Sequence, residues 1–185
     1  MPQERTRKLV ITGVLGAIAV LLGLTHWGFI PWFGGISLTI MHVPVIIGAI
    51  LEGPIVGLGI GLIFGLFSML QAAIAPSSPS DVWFTNPILA VLPRLVIGPV
   101  AYYVWFLLKR IPVVGLIVAG IAGSLTNTIL VLGVIGLLGY LPWALIGGII
   151  ISNGLLEAGL SAVITLVVVA AWRGFKIGKK QGADL

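Results

Sequence analysis

Residues 55–74 read IVGLGIGLIFGLFSMLQAAI, a run of twenty positions without a charged side chain. About 20 apolar residues in an α-helix are enough to cross the hydrocarbon core of a bilayer. The whole chain has this character: of its 185 residues, 59% are hydrophobic and 8% are charged, and the mean hydropathy is +1.21. A soluble domain carries about 25% charged residues. The composition therefore excludes a soluble globule and predicts a small all-α membrane protein with several spans.

Six membrane spans are predicted, of which residues 55–74 form the third. The others cover about residues 8–24, 38–51, 86–108, 113–138 and 143–172. The second span is short and ends at Glu52-Gly53-Pro54, and the third ends at the helix-breaking sequence APSSPS. No signal-peptidase site follows the first span, so we expect it to be retained. We therefore expect a compact bundle of six transmembrane helices over residues 1–173, followed by a basic tail over residues 174–185.

The basic residues predict how the chain is oriented. With six spans, nine of the ten Lys and Arg residues fall at one membrane face: Arg5, Arg7, Lys8, Lys109, Arg110, Arg173, Lys176, Lys179 and Lys180. Cytoplasmic loops of membrane proteins carry an excess of Lys and Arg. We therefore expect both the N-terminus and the C-terminus to be cytoplasmic. The net charge of +5 then reports topology, and we expect no nucleic-acid partner.

The opposite face carries the aromatic residues and the two long loops, residues 25–37 and 75–85, together with a short turn at residues 139–142. Eight aromatic residues cluster there: Trp27, Phe29, Trp32, Phe33, Trp83, Phe84, Tyr140 and Trp143. Aromatic belts form at both membrane interfaces, so one interpretation is a simple belt. The other is that some rings, Trp32 among them, line a pocket that opens outward, because ligand sites are mostly apolar with a few polar groups.

Small residues recur at helical spacing in three spans. Two of these stripes, Gly57-xxx-Gly61-xxx-Gly65 and Gly115-xxx-Ala119-xxx-Gly123, are expected to pack inside the bundle, since small residues let membrane helices approach closely. The first span carries a shorter stripe, Gly13-xxx-Ala17. For that stripe, packing inside the bundle and contact with a partner protein both stay open.

Several polar side chains fall inside the predicted spans. A charge deep in hydrocarbon costs about 2.5 kcal/mol or more on insertion scales, so such groups are paired, solvated or functional. The two charged ones are Arg94 and Glu157, and the neutral ones of interest are His42, Gln71, Asn86, Asn127 and Asn153. Either Arg94 and Glu157 form a neutralising pair and the amides join helices, or these groups converge on a small polar ligand. In the second case Arg94 would bind an anion, because a guanidinium makes a two-pronged bond to a carboxylate and keeps its charge.

The inventory of motifs disfavours enzymes, carriers and channels. The chain has no cysteine, two histidines, and no HExxH, GxSxG or P-loop motif, so we expect no metal, no cofactor and no catalytic site. Internal halves typical of carriers are missing, and no polar stripe crosses the full membrane depth as a channel would need. What remains is a ligand-binding membrane subunit without its own energy source, which implies a partner.

The chain resembles a known family, the substrate-binding S components of energy-coupling factor (ECF) transporters, which are vitamin importers of the ABC class. The resemblance covers essentially the whole chain and is closest to the branch for folate, pantothenate and thiamine precursors. Besides the six spans and the Gly13-xxx-Ala17 stripe, it rests on residues 37–50 (SLTIMHVPVIIGAI) and their continuation through Gly53-Pro54, Gly57, Gly61 and Phe64-Gly65, and on Asn86-Pro87, Leu92-Pro93-Arg94 and Gly98.

The resemblance implies partner subunits and a transport mechanism. It implies one transmembrane T component and two ABC ATPase subunits, which supply the energy, in the cell membrane of a prokaryote. The S component would bind a vitamin at the outer face and dock through the small residues of its first span, here Gly13, Gly16 and Ala17. The loop at residues 25–37 would act as a lid, with the Gly34-Gly35 pair as its hinge.

The substrate is the least determined point. A guanidinium together with several amides suits a carboxylated vitamin that bears hydroxyl or amide groups, so pantothenate fits best, with folate or a thiamine precursor as alternatives. The candidate binding residues are Arg94, Asn153, Glu157, Asn127, His42, Gln71, Trp32 and Asn86. Two other classes stay open: a structural or assembly subunit in which Arg94 and Glu157 only pair with each other, and an intramembrane enzyme.

Overall fold

The computed structural model describes residues 2–25, 27–31, 37–76 and 78–174. Within these residues, five helical segments are long and apolar enough to cross a membrane: Gln3–Leu24, Pro54–Ile74, Pro87–Leu108, Pro112–Leu137 and Trp143–Arg173. The prediction of an all-α membrane protein is confirmed, with one small addition, a hairpin of two short strands.

The elements follow one another with few residues between them. They are α1 (Pro2–Leu24), β1 (Phe29–Pro31), β2 (Ser37–Thr39), α2 (Val43–Glu52), α3 (Pro54–Ile74), a 3₁₀ helix (Pro79–Thr85), α4 (Pro87–Ala90), α5 (Leu92–Leu108), α6 (Pro112–Leu137), α7 (Trp143–Ile149), a π-helical turn (Ile150–Gly154) and α8 (Leu155–Arg173). Proline opens many of these helices because its fixed φ suits the first turn, where its missing N–H is not needed.

The second predicted span, residues 38–51, is wrong in its first part. Residues 37–39 form strand β2, which pairs antiparallel with β1, and the helix begins only at Val43. The chain is held in the extended form here because the N–H of Ile40 donates to the carbonyl of Gly28 and the N–H of Thr39 donates to a buried carboxylate. With ten residues, α2 rises only ~15 Å, whereas α3 with 21 rises ~31 Å. The hairpin therefore occupies the depth that the first half of a full span would have filled.

Glycine stripes set the spacing of the helices, as the sequence predicted. A Cβ on Gly57 would lie 2.9 Å from the Cα of Gly98, and one on Gly61 would overlap the carbonyl oxygen of Arg94. The backbones of α3 and α5 are therefore in direct contact. The stripe on α6 also packs inside the bundle, where Gly123 contacts Ile46 of α2. Both stripes belong to the packed interior, where only small residues fit.

One end of the bundle, which we call the basic end, collects the ends of several helices. Here Arg7, near the start of α1, forms an ion pair with Glu52, the last residue of α2. At the same end, the guanidinium of Arg173, the last residue of α8, donates to the carbonyl of Ile50 at 2.8 Å. The 3₁₀ helix and the α6–α7 turn lie at the opposite end, where Trp83 stacks on Tyr140 with ring centroids 5.3 Å apart.

Candidate functional site

A row of buried polar side chains runs along one face of the last helix. Asn153, Glu157, Ser161 and Thr165 follow one another at intervals of four residues and are all buried. Residues four apart project from the same face of a helix. Asn153 lies in the π-helical turn, a distortion that often marks functional sites. The row faces the interior of the bundle, so its polar groups must find partners there.

Glu157 joins three elements through its carboxylate. One oxygen accepts a hydrogen bond of 2.6 Å from the backbone N–H of Thr39 in β2, and the other accepts one of 3.2 Å from the hydroxyl of Thr128 in α6. Hydrogen bonds to a charged group are stronger than those between neutral groups. The side chain of Glu157 therefore connects the hairpin to α6 and α8.

His42 lies directly before α2, at the foot of the hairpin, and is fully buried. Its Nε2 is 2.8 Å from the hydroxyl oxygen of Ser161, one turn along α8 from Glu157. Its Nδ1 is buried and has no hydrogen-bond partner among the described residues. One side of the imidazole is therefore held by α8, while the other retains unused hydrogen-bonding capacity.

Arg94 is buried, with 5% of its surface exposed, and it is held by aromatic rings. Its guanidinium carbon lies 5.3 Å from the ring centroid of Phe64 and 4.9 Å from that of Phe84. One terminal nitrogen donates to the carbonyl of Leu89 at 2.6 Å, and Nε has no partner within the described part of the chain. Cation–π contacts of this kind contribute about 0.5–2 kcal/mol.

Of the two interpretations that the sequence left open, the ion pair between Arg94 and Glu157 is contradicted by the structure. Neither side chain has a partner of opposite charge among the residues described, where the ion pair present is Arg7–Glu52. The reason is geometric, since Glu157 faces the hairpin and Thr128 while Arg94 faces the rings of Phe64 and Phe84. The bundle thus holds a buried positive charge that no carboxylate of the described chain neutralises.

Three of the polar groups lie at nearly the same depth. Arg94, Asn127 and Glu157 are 14, 15 and 16 residues from the basic end of their helices, Leu108, Pro112 and Arg173. At ~1.5 Å per residue this places them roughly 21–24 Å from that end, in the half of the bundle nearer the hairpin.

Unused hydrogen-bonding capacity is found at this level and between it and the basic end. Besides the nitrogens of His42 and Arg94, the described chain leaves three buried oxygens without a partner, on the side chains of Ser124, Asn127 and Thr165. Buried polar atoms are nearly always hydrogen-bonded, so a group of unpaired ones needs an explanation. A small polar molecule among these side chains would supply the missing partners.

The family model described as "ECF transporter, substrate-specific component" matches residues 7–169. The chain belongs to this family. As an S component it is a subunit of a transporter and not an enzyme, and it is a multi-pass protein of the cell membrane.

Two curated relatives of this S component carry the same substrate in their names. The pantothenic acid transporter PanT of Lactococcus lactis subsp. cremoris (strain MG1363) is 30% identical over 191 aligned residues, which cover 92% of this chain and 96% of the relative. The pantothenate transporter PanT of Leuconostoc mesenteroides subsp. mesenteroides is 38% identical over 102 residues, 53% of this chain and 50% of the relative.

Two of the predicted binding residues, Gln71 and Asn86, have contacts away from the polar groups of α6 and α8, and a third, Trp32, is not among the described residues. The amide of Gln71 is 3.5 Å from the carbonyl oxygen of Gly23 and so connects α3 to α1. Asn86 caps α4 by accepting a hydrogen bond of 3.0 Å from the N–H of Ile88. Trp32 lies outside the described residues, as does the Gly34-Gly35 pair.

The three predicted docking residues of this S component face different ways. Gly13 and Ala17 are exposed on the outer face of α1, and a Cβ on Gly13 would meet nothing within 4 Å. Gly16 is buried, and its missing side chain leaves room for Ile63 of α3. Gly16 therefore belongs to the packing of the bundle, while Gly13 and Ala17 form an open surface.

Sequence analysis missed several residues that complete the site. Ser161 and Thr165 could have been found, because they continue the four-residue spacing that begins at Asn153 and Glu157. The two rings around Arg94 were named from the sequence, Phe84 among the eight aromatic residues and Phe64 in the family resemblance, but nothing indicated that they contact Arg94. Phe64 is one apolar residue among many in α3, and Phe84 belongs to a 3₁₀ helix after a loop, so only the fold brings them together.

Proposed function

We propose that this chain is the pantothenate-binding S component of an ECF importer. One observation carries the proposal: Arg94 is buried, positively charged and without a carboxylate partner in the described chain, and Asn127, at the same depth, has a side-chain oxygen without a hydrogen-bond partner there. Such a site favours an anionic ligand with further polar groups. Pantothenate has a carboxylate, an amide and two hydroxyls, and both curated relatives are named for it.

Each polar group has a proposed role in binding. Arg94 binds the carboxylate of the vitamin with donors that the carbonyl of Leu89 leaves free, because guanidinium and carboxylate form paired, charge-assisted hydrogen bonds. Asn127, Asn153 and His42 bind the amide and hydroxyl groups. Glu157 acts by holding the hairpin in place rather than by contacting the carboxylate, which it would repel.

The proposed topology has six passes with both termini in the cytoplasm. The hairpin together with α2 counts as one pass, since α2 alone is about half as long as the others. The N-terminal part of α1 and the end of α8 share the basic end, as an even number of passes requires. The excess of Lys and Arg at that end favours the cytoplasm. The tail at residues 174–185 would then be cytoplasmic.

The proposed energy source is a partner complex of one T component and two ABC ATPases. The chain contains no ATP-binding P-loop sequence of its own. We assign the docking contact to the outer face of α1 around Gly13 and Ala17, which is open and lined by small residues. The small size of these two residues, next to the exposed side chains of Val14 and Ile18, lets another helix approach closely at this point.

The test is a ligand titration of the purified full-length protein in detergent. Pantothenate should raise the midpoint of thermal unfolding in proportion to RT ln(1 + [L]/Kd), while folate and thiamine should not. A stoichiometry of one pantothenate per chain by calorimetry would support the proposal. Stabilisation by folate or thiamine but not pantothenate would reject the substrate, and no response to any vitamin would reject the function.

A further inference from the structure

A polar cavity lies at the basic end of the bundle, apart from the residues that contact Arg94. Its volume is about 390 Å³, and it lies between the ends of α1, α2 and α8 and the last turns of α5. The charged side chains that line it are Arg7, Glu52 and Arg173, with Tyr102 and Trp105 as aromatic neighbours. Nothing in vitamin binding uses these residues.

The two guanidinium groups are held in the wall of this cavity. Glu52 forms an ion pair with Arg7, and its side chain is 7% exposed while that of Arg7 is 63% exposed. The guanidinium of Arg173 lies 5.1 Å from the ring centroid of Trp105 and donates to the carbonyl of Ile50 at 2.8 Å. Each guanidinium has five N–H donors. Both therefore keep donors for a further acceptor, and two Arg against one Glu leave the cavity with a net positive charge.

The place of the cavity indicates what that acceptor is. The helices that form it end there, so it lies at the level where lipid headgroups meet the protein, and aromatic side chains prefer this level. Basic pockets between transmembrane helices at this depth bind lipid phosphates. Paired N–H groups of arginine match the oxygens of a phosphate.

We propose that this cavity binds the phosphate of an anionic phospholipid, with Arg7 and Arg173 as its ligands and Glu52 as the residue that positions Arg7. The ring of Trp105 and the carbonyl of Ile50 hold the guanidinium of Arg173 in the wall of the cavity. A bound lipid would connect α1 to α8 through a headgroup and fill the space that the helix ends leave open. The proposal does not depend on which vitamin the protein carries.

The test uses the delipidated full-length protein titrated with phosphatidylglycerol and, separately, with phosphatidylcholine, and counts bound lipids by native mass spectrometry. We expect one phosphatidylglycerol to bind about tenfold more tightly than phosphatidylcholine. The double variant R7Q/R173Q should lose this preference. The matched control R110Q removes a basic residue from the same end but outside the cavity, and it should keep the preference.

Three outcomes would overturn the proposal: equal binding of the two lipids by the unmodified protein, an unchanged preference in the double variant, or an equal loss in R110Q. Inorganic phosphate forms a further arm. If inorganic phosphate displaces phosphatidylglycerol at millimolar concentration, the ligand is free phosphate and not a lipid; if the lipid stays bound, the lipid assignment holds.

The comparison of two lipids controls for stability. Because each variant is compared between the two, a lower overall stability does not imitate a lost preference. The single variant R173Q keeps the Arg7–Glu52 pair and should show an intermediate preference.

Discussion

Arg94 carries a full charge in the interior of a membrane protein and is accommodated without a carboxylate. The faces of Phe64 and Phe84 and the carbonyl of Leu89 offset part of the cost of removing it from water. They supply no opposite charge, so the environment stays electropositive. A residue held in this way is prepared for an anion, because the side chain is already desolvated and fixed before the ligand arrives.

We expect Arg94→Ala to weaken pantothenate binding by roughly two orders of magnitude, since a hydrogen bond to a charged group contributes about 1.5–3 kcal/mol. Isothermal titration against pantothenate measures this loss. The alcohol analogue of pantothenate, which has a hydroxymethyl group in place of the carboxylate, separates loss of a contact from loss of the fold. The unmodified protein should prefer the acid, and R94A should bind acid and alcohol equally. A variant that still prefers the acid would place the carboxylate elsewhere.

The hydrogen bonds of Glu157 to the hairpin can be tested by mutation. Glu157→Ala removes the acceptor of the Thr39 N–H and of the Thr128 hydroxyl, so the hairpin should separate from α8 more often. We expect the Thr39 amide to exchange with deuterium roughly ten- to a hundredfold faster, in line with about 1.5–3 kcal/mol for a hydrogen bond to a charged group. Hydrogen-exchange mass spectrometry of the ligand-free protein measures this rate.

Glu157→Gln is the matched control for that change. Its amide oxygen can still accept from the Thr39 N–H, so exchange should rise less than in E157A. An unchanged Thr39 amide in E157A would show that the carboxylate does not hold the hairpin. Because this measurement needs no vitamin, it stays independent of the proposed substrate.

Glycines on the helix faces pack tightly against a neighbouring helix in some places and leave the face uncovered in others. On α3 the glycines lie against the backbone of α5, and Gly61 leaves room for the carbonyl of Arg94 itself. On α1, by contrast, Gly13 and Ala17 have no neighbour that needs their small size. The same spacing in the sequence thus serves internal packing in one helix and leaves a flat external face on another.

We expect Gly13→Leu to leave pantothenate binding unchanged but to block uptake, because the added bulk would keep a partner helix away. Uptake of radiolabelled pantothenate by cells that express the whole transporter measures the second effect, and titration of the purified subunit measures the first. Gly159→Leu is the control: Gly159 is also exposed to lipid, with nothing within 4 Å of an added Cβ, but it lies on α8. Normal uptake in G13L would move the docking face away from this part of α1.

The sequence predicted the positions of the helices that long apolar runs form. Helix α3 was expected over residues 55–74 and α6 over 113–138, and both agree with the structure to within one residue because proline and glycine mark their ends. The hairpin was not predicted, since three-residue strands show no alternating pattern and residues 37–39 continue into an apolar helix.

The sequence singled out several of the polar residues that the structure buries, but not the contacts that they make. The cost of burying Arg94, Glu157, His42 and the amides singled them out, because polar groups in hydrocarbon are rare. From the sequence alone, an Arg94–Glu157 pair was one of two open interpretations. The structure instead gives each of them partners from other elements, which depend on how α3, α5 and the hairpin pack. Spacing along one helix is visible in a sequence, whereas contact between helices is not.

The topology has its own test. Cysteines introduced singly at Asp81, between α3 and α4, and at Lys109, between α5 and α6, should react with a membrane-impermeant maleimide from opposite sides. In intact cells the cysteine at position 81 should be labelled, and the one at position 109 only after permeabilisation, because the basic end is expected to be cytoplasmic. The chain has no natural cysteine, so no background labelling arises. The reverse labelling pattern would show that the orientation is opposite to the predicted one. Labelling of both cysteines in intact cells would show that the number of membrane passes differs from six.

The shortness of α2 determines what has to move when a solute enters. Above Val43, the interior is covered by a pair of three-residue strands held by a few hydrogen bonds, and the long helices form the surrounding wall. In the proposed topology, we expect access from outside to need movement of this one small segment, because few hydrogen bonds hold it. If the long helices stay packed while this segment moves, the subunit would load its cargo without opening a path for ions across the bilayer.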